Sequence, residues 1–399
     1  MNKILKNILI FMSGTLISLM LLVFCMSAGY ISLGSRGILL DSDTFKKIEE
    51  LNAYIERFSI YEPKTQDKKD YLFKGLVSST KDPYSTYYTK KELEQVESRG
   101  KDYVGIGIKI VQLKKTNEFI VNSVFDNSPA KKAGVISGDI ITKVNGKSVL
   151  DYSIEELASN VRGKAGTKVK ITISRDGKEK TLVMVRAKVK NKTVEYEKLS
   201  NDIGYIRITE FDEPTSKQYI DAINSLEKSK VKGLIVDLRD NGGGYLDSVL
   251  EMLDRMIKNG TLVSSIDKNG DKQEFKTRTT ASYNKPVIIL VNEFTASASE
   301  LYSAAMRELN GAILIGTNTF GKGIVQSTFK LSDGSAIKLT TSKYYTPKGI
   351  NFHDKGLKPD IEIKPDKNYL KIKMSGKEVS KEDDNVLKRA IEEMKKRIR

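Results

Sequence analysis

Two short runs constrain the fold most. Residues 233–238 (Gly-Leu-Ile-Val-Asp-Leu) and 287–291 (Val-Ile-Ile-Leu-Val) are nearly continuous in apolar side chains. Neither alternates with polar residues, and both are bounded by turn signals. That is the pattern of a strand buried on both faces, as in a parallel sheet. Parallel neighbours are joined only by crossovers, usually helices. Segments with helical spacing lie where those are needed: 214–228 with Pro214 in its first turn, 245–258 closed by Gly260, and 297–309. With strands at 204–209 and 312–315, the chain alternates β and α from about Thr193, which argues an α/β core.

The rhythm upstream is different. Residues 43–58 read as an amphipathic helix, with Phe45, Ile48, Leu51, Ile55 and Phe58 near helical spacing, and Pro63-Lys64 breaks it. A second helix at 71–80 ends in Asp82-Pro83-Tyr84-Ser85, and a third is expected at 90–98. Residues 103–185 read as short strands and turns. Gly105-Ile106-Gly107-Ile108 opens this stretch, Asn145-Gly146 is a hairpin signal, 153–161 is a lone helix, and 169–175 with 180–185 form a closing strand pair. Residues 385–399 form a terminal helix, apolar at Val386, Ile391 and Met394.

Residues 7–35 carry no charge and are mostly Ile, Leu, Met, Val and Phe. That exceeds the ~20 residues a spanning helix needs. Lys3 and Lys6 precede it, so the expectation is an anchor with the N-terminus in the cytoplasm and the remainder outside. A cleaved signal peptide is the competing reading, although its apolar stretch is usually only ~7–15 residues. The sole Cys, Cys25, lies inside the run after Phe24, which is a poor lipoprotein site. One Cys excludes an intramolecular disulfide and Cys-based zinc or iron–sulfur sites. One His excludes a His-rich zinc site and leaves His353 as the only imidazole base. No metal or cofactor is expected. The net charge of +16 fits a Lys-rich solvated surface or attraction to anionic lipid or wall polymers. No motif supports nucleic acid as a partner.

Three segments carry candidate chemistry. Thr295-Ala296-Ser297-Ala298-Ser299-Glu300 sits where a buried strand meets a helix. A Ser there is presented at the strand's carboxyl end, beside backbone N–H groups suited to a developing anion. Thr295, Ser297 and Ser299 are equally apt as helix N-caps. A nucleophilic Ser needs a base. His353 lies in a polar, loop-like stretch. The other choice is a neutral Lys, whose pKa of ~10.4 must fall toward 7 at a cost of ~4 kcal/mol supplied by desolvation. Phe320-Gly321-Lys322-Gly323-Ile324 offers a lone Lys flanked by glycines, which let the backbone pack closely around the amine. Residues 316–322 also read G-x-x-x-x-G-K, but Gly323 replaces the Ser/Thr that would hold magnesium, and a strand follows instead of a helix. Asp237-Leu238-Arg239-Asp240-Asn241-Gly242-Gly243-Gly244 leaves the other buried strand in a glycine-rich turn, either an oxyanion donor or a flexible turn.

Together these segments resemble the carboxyl-terminal processing proteases, the PDZ-containing Ser/Lys peptidases of the S41 type. Residues 71–76 and 82–88 resemble the family's helical lead-in. Residues 104–108, 128–134 and 138–141 resemble its PDZ domain. Residues 237–244, 295–300 and 320–326 resemble its catalytic motifs, and Gly349 with 356–360 its closing strands. The resemblance implies an α/β protease core with an inserted PDZ domain (β-rich, a partly open barrel), helical N- and C-terminal segments and an N-terminal transmembrane helix. The implied divisions are 1–35 anchor, 36–99 lead-in, 100–188 PDZ, 189–368 peptidase core and 369–399 C-terminal helical segment.

It further implies Ser297 as nucleophile and Lys322 as base, 322 − 297 = 25 residues apart. Gln326 would orient the amine, and Gly243 and Ala298 would donate N–H groups to the oxyanion. Gly242 stands where many relatives have Pro. Val104, Gly105, Ile106 and Gly107 would seat a peptide carboxylate, and Arg162 resembles a PDZ arginine that couples peptide binding to activation in some relatives. The function implied is an extracytoplasmic endopeptidase of the bacterial envelope. It would recognise free apolar C-termini of protein or peptide substrates, and dimerise through its lead-in and terminal helices. A silent PDZ scaffold is the alternative, against which Ser297, Lys322 and Gln326 all argue.

Overall fold

The computed structural model describes residues 41–398, apart from 98–102, 114–115, 126, 153, 190, 281 and 375–378. Among the described residues no helix is long and apolar enough to cross a membrane. The expected anchor at 7–35 lies outside the described residues. The chain divides into two units after Phe73. Helix α1 (Ser42–Phe58) starts where the Asp41 carboxylate accepts the Thr44 N–H at 2.7 Å. It buries no residue, and Phe45, Leu51, Tyr54, Ile55 and Phe58 stay exposed. Helix α2 (Thr65–Ser78) begins six residues before the expected 71, because its first turns are polar and carry no apolar period. Strand β1 (Thr86–Tyr88) and helix α3 (Lys90–Glu97) follow.

The next stretch is a small barrel-like module. Its strands are β2 (Tyr103–Gly105), β3 (Ile108–Gln112), β4 (Phe119–Val124), β5 (Ile140–Val144), β6 (Lys147–Ser148), β7 (Lys168–Arg175), β8 (Lys178–Val185) and β9 (Ala187–Val189). Two helices interrupt them, α4 (Pro129–Lys132) and α5 (Ile154–Val161). The main sheet runs β3-β4-β5-β7-β8, with β2 paired to β9 apart from it. Ile106, Phe119, Val121, Ile141, Leu157, Ile171 and Ile173 form its separate core.

The remainder is a three-layer α/β fold. Strands β10 (Val194–Leu199), β11 (Ile203–Ile208) and β12 (Gly233–Asp237) are joined by α6 (Thr215–Lys228). Helix α7 (Leu246–Met256), the hairpin β13 (Thr261–Asp267) and β14 (Lys272–Lys276), and strand β15 (Val287–Val291) come next. Helix α8 (Ala298–Ala305) continues as a π turn to Asn310 before β16 (Ile313–Gly316). The sheet order is β10-β11-β12-β15-β16 and then β19 (Ile361–Glu362), all parallel except β10. Alternate side chains explain the unbroken apolar runs. Leu234, Val236 and Ile289 face Tyr219, Met252 and Tyr302 of α6, α7 and α8, respectively. Ile235, Ile288 and Leu290 face Val386, Leu387, Ala390 and Met394 of α10 (Asn385–Arg397), which follows the short α9 (Lys367–Met374).

A second, antiparallel sheet was not legible in the sequence beyond 324–329. Its centre is β18 (Ala336–Tyr345), which pairs with β1, β13 and β17 (Ile324–Lys330). Lys, Thr and Ser fill β18, so it carries neither an apolar run nor a clean alternation.

One buried ionic cluster ties the main sheet to α10. Arg239 spans Asp237 (Nη2–Oδ2 2.6 Å) and Asp384 (Nη2–Oδ2 2.7 Å), and Tyr205 Oη donates to Asp237 at 2.8 Å. Asp384 also caps α10 through the Leu387 N–H. Burial alone would raise the Asp237 carboxyl, but Arg239, Arg207 and Tyr205 hold it below its ordinary value. Arg239→Met strands two buried carboxylates and should cost about 3–5 kcal/mol in urea unfolding at pH 7. Asp237 contributes stability above the ordinary carboxylate range and loses it as pH falls through its depressed folded-state value, so the penalty should shrink in acid. A penalty independent of pH would contradict this account.

Candidate active site

The exits of β12 and β15 are stitched together by short polar contacts. Thr295 Oγ1 donates to Leu238 O at 2.9 Å, the Ala296 N–H to Asn241 O at 3.0 Å, and Ser299 Oγ to the same carbonyl at 2.9 Å. Thr295 and Ser299 are fully buried in these roles, whereas Ser297 between them is half-exposed. Of the three hydroxyls, Ser297 is therefore the one a substrate can reach. Its backbone is strained, with φ 57° and ψ −117° in a region that L-residues avoid.

Glu300 holds that conformation. Its carboxylate is fully buried and accepts four hydrogen bonds. Oε2 takes the N–H groups of Ser297 and Lys322, each at 2.8 Å. Oε1 takes the Gly321 N–H at 2.8 Å and Thr319 Oγ1 at 2.5 Å. One carboxylate thus joins the backbone of the candidate nucleophile to that of the candidate base. It also fills the N–H cradle of the 316–322 loop, where the P-loop reading would have required a phosphate. Burial pushes the Glu300 carboxyl above its ordinary value, and the four donors pull it back.

The glycines beside Lys322 are required by the 351–357 loop. A Cβ on Gly321 (φ +91°) would lie 2.8 Å from Gly356 N, and one on Gly323 2.8 Å from His353 N. His353, expected to face solvent, is half-buried, with Nδ1 3.1 Å from Gly321 O. The Lys322 amine makes no hydrogen bond among the described residues. Its Nζ lies 4.7 Å from the centroid of the Tyr84 ring. Burial, with a smaller push from Lys338, lowers its pKa, and Asp82 opposes this. Gln326, expected to orient the amine, instead donates weakly to Ile324 O at 3.4 Å.

Gly243 packs against the nucleophile segment. A Cβ there (φ +102°) would meet Ser297 Cβ at 2.9 Å and Ala298 N at 3.0 Å. The Ala298 N–H, at the start of α8, has no acceptor among the described residues. The Gly243 N–H is engaged, donating to Asn241 Oδ1 at 2.9 Å. Gly242 has no neighbour within 4 Å of a built Cβ, so there is room for a side chain there.

In the small module, β3 is an edge strand flanked by α5, and Val104, Gly105, Ile106 and Gly107 lead into it. Gly107 (φ +79°) is pressed against Ser128, and the Ile106 carbonyl accepts the Ala130 N–H. Arg162 is exposed just past α5. Arg186 donates to the carbonyls of Val161, Asn160 and Lys168, and Arg175 pairs with buried Asp139.

Residues 202–363 match the model of peptidase family S41, and residues 104–184 that of the PDZ domain. The chain is 39% identical to the carboxy-terminal processing protease CtpA of Bacillus subtilis over 346 residues, 85% of this chain and 73% of that protein. The chain belongs to the carboxy-terminal processing proteases of family S41. It is also 41% identical to a CtpA-like serine protease of Staphylococcus epidermidis, over 80% of this chain and 65% of that one. The solved photosystem II D1 C-terminal processing protease aligns over 80% of this chain and 87% of its own, with 25% identity and a TM-score of 0.50. The chain is thus a serine-type peptidase carrying a PDZ domain.

Sequence reading of this peptidase missed Glu300 as a joint, although Ser297-x-x-Glu300 has capping-box spacing. It also gave no role to Tyr84, Asn241 or Lys338, because no local pattern marks a contact made across the fold. Glu300→Gln replaces one carboxylate oxygen by an NH₂ and turns it toward two of the four donors. Unfolding free energy should fall by about 2–6 kcal/mol, from ~1–3 kcal/mol per orphaned donor. Peptide cleavage should fall with it. An unchanged urea midpoint with full activity would show the carboxylate to be dispensable.

Proposed function

We propose that this peptidase cleaves protein tails with a Ser297–Lys322 dyad after its PDZ domain captures the free carboxyl end. The observation that carries the reading is the convergence of the Ser297 and Lys322 N–H groups on one oxygen of Glu300. The lowered pKa of Lys322 supports it, because a base must be neutral to accept a proton. Ser297 Oγ bonds to the scissile carbonyl carbon as its proton passes to Lys322 Nζ. The C–N bond then breaks, and the amine leaves with that proton. Water, deprotonated by Lys322, hydrolyses the resulting ester. Ala298 N–H is the available oxyanion donor, and Gly243 N–H joins it once released from Asn241. Gln326 orients the amine only in the working state, after turning from Ile324.

A peptide would add beside the free edge of β3, its carboxylate at the Val104–Gly107 amides and Arg162 near its path. The uncharged run at 7–35 favours a single membrane anchor, with the catalytic part outside the cytoplasm. The exposed apolar face of α1 favours a homodimer.

The test uses the full chain in detergent and an unstructured reporter with an apolar free carboxylate, followed by mass spectrometry. Ser297→Ala and Lys322→Ala should each lower kcat/KM by about three orders of magnitude or more. Amidating the reporter should raise KM. Full turnover in either variant would refute the dyad, and an amidated reporter cut equally well would refute carboxylate capture. A folded protein that binds the reporter without cutting it would favour the scaffold reading.

A further inference from the structure

The base is not walled by the peptidase core alone. Lys322 Nζ lies over the ring of Tyr84, a residue outside both the S41 match and the PDZ match. Tyr84 belongs to the turn between α2 and β1, and three contacts fix that turn. Asp82 Oδ1 accepts the Tyr84 N–H at 3.0 Å, and Asp82 Oδ2 accepts Ser85 Oγ at 2.6 Å. Ser85 Oγ in turn accepts the Thr340 N–H from β18 at 3.1 Å. The pairing of β1 with β18 then carries the turn into the same sheet as β17, the strand that leaves Lys322. The ring and the amine are therefore held by two ends of one sheet.

We propose that Tyr84 is the positioning residue for the Lys322 amine: its ring forms the wall on which the side chain rests and which keeps water from it. This rests on the dyad reading. With no hydrogen bond to hold the amine, the ring is the contact that fixes where Nζ lies. A ring face favours a cation, whereas the exclusion of water disfavours it. Burial is the first of the influences that lower the Lys322 pKa, and on this proposal the ring's share of that burial exceeds its attraction for the cation. The charged and titratable groups around the pair are Lys338 on β18, Asp82 in the turn, Glu300 on α8, and His353 and Asp354 in the loop. Tyr84 stays a neutral phenol, since burial together with Asp354, Asp82 and Glu300 raises its pKa. Lys338 repeats the arrangement one strand pair away, its Nζ 5.6 Å from the Tyr88 ring.

The experiment compares the full chain with Tyr84→Leu, Tyr84→Phe and Ser85→Ala. Two readouts are taken: the pH profile of kcat/KM, and the pH dependence of Lys322 acylation by a small amine-reactive reagent, followed by peptide mass spectrometry. Removing the ring admits water, so Lys322 should titrate about one pH unit higher in both readouts, with about tenfold lower kcat/KM on the acid limb. Tyr84→Phe should return the parent profile. Ser85→Ala removes the hydroxyl that joins Asp82 to the Thr340 N–H, and so loosens the turn without removing the ring or changing a charge. It should shift both readouts in the same direction by less, and it keeps the question answerable if Tyr84→Leu does not fold. A folded Tyr84→Leu or Ser85→Ala with the parent's acylation profile would overturn the proposal, as would a Tyr84→Phe that behaves like Tyr84→Leu. A shift in acylation without a shift in kcat/KM would uphold Tyr84 and reject Lys322 as the base.

Discussion

The Glu300 carboxylate is the constraint on which the rest of the site depends. Ser297 sits in a conformation that costs of order 1–3 kcal/mol and persists only where its surroundings over-determine it. Glu300 supplies that determination, and the same two oxygens close the loop that carries Lys322. Two segments 25 residues apart in sequence are thereby referenced to one rigid group at the start of α8. The helix is the natural place for it, since its first turn is fixed by the parallel sheet beneath and buried on every side. A buried carboxylate with four donors is also a high-stakes network, because losing the acceptor orphans all four at once.

Legibility in the sequence followed the physics of each element. The runs at 233–238 and 287–291 announced a doubly covered parallel sheet because burial on both faces leaves no room for polar alternation. Helix α10 was legible from its apolar stripe, but nothing in that stripe said that it covers the face opposite α6, α7 and α8. Strand β18 was invisible because it is half-exposed and spends its side chains on Lys, Thr and Ser. At the site, the resemblance named Ser297 and Lys322, and the glycines beside Lys322, expected to let the backbone pack around the amine, instead make room for the 351–357 loop. Glu300 was quoted without a role, because three of its four partners come from residues 19 to 22 positions away. Tyr84 was quoted only as part of a turn. Its contact with Lys322 spans 322 − 84 = 238 residues, and no local period encodes a contact of that kind.

The backbone and the side chains of the site stand in different states. The backbone is set: Ser297 is strained into place, the Ala298 N–H is open, and Gly243 lies against both. The side chains are not engaged with one another. Lys322 rests on Tyr84, Gln326 turns back to its own strand, and Asn241 occupies the Gly243 N–H. Each of these alternatives is a single weak or local contact, so each can be exchanged without moving a strand. The Gln326 contact at 3.4 Å is the weakest. The Asn241 turn is the firmest, because its amide also donates to Ile208 O at 2.9 Å from full burial. Freeing the Gly243 N–H is therefore a harder step than turning Gln326.

This ordering gives the lead-in a part in the chemistry. A peptidase core bounded at 202–363 contains Ser297, Lys322 and the Glu300 joint, yet lacks the Tyr84 ring that rests against the Lys322 amine. Solvation is what keeps a lysine charged, and a charged lysine cannot take a proton from Ser297. The turn at 82–85 supplies that ring, and it does so through the sheet containing β18, whose pairing with β1 depends on residues far upstream of the core. The same sheet carries β17 away from Lys322, so β18 pairs with the strands that lead from both the ring and the amine. On the dyad reading, the basicity of Lys322 is then a property of the sheet that holds Tyr84 against it.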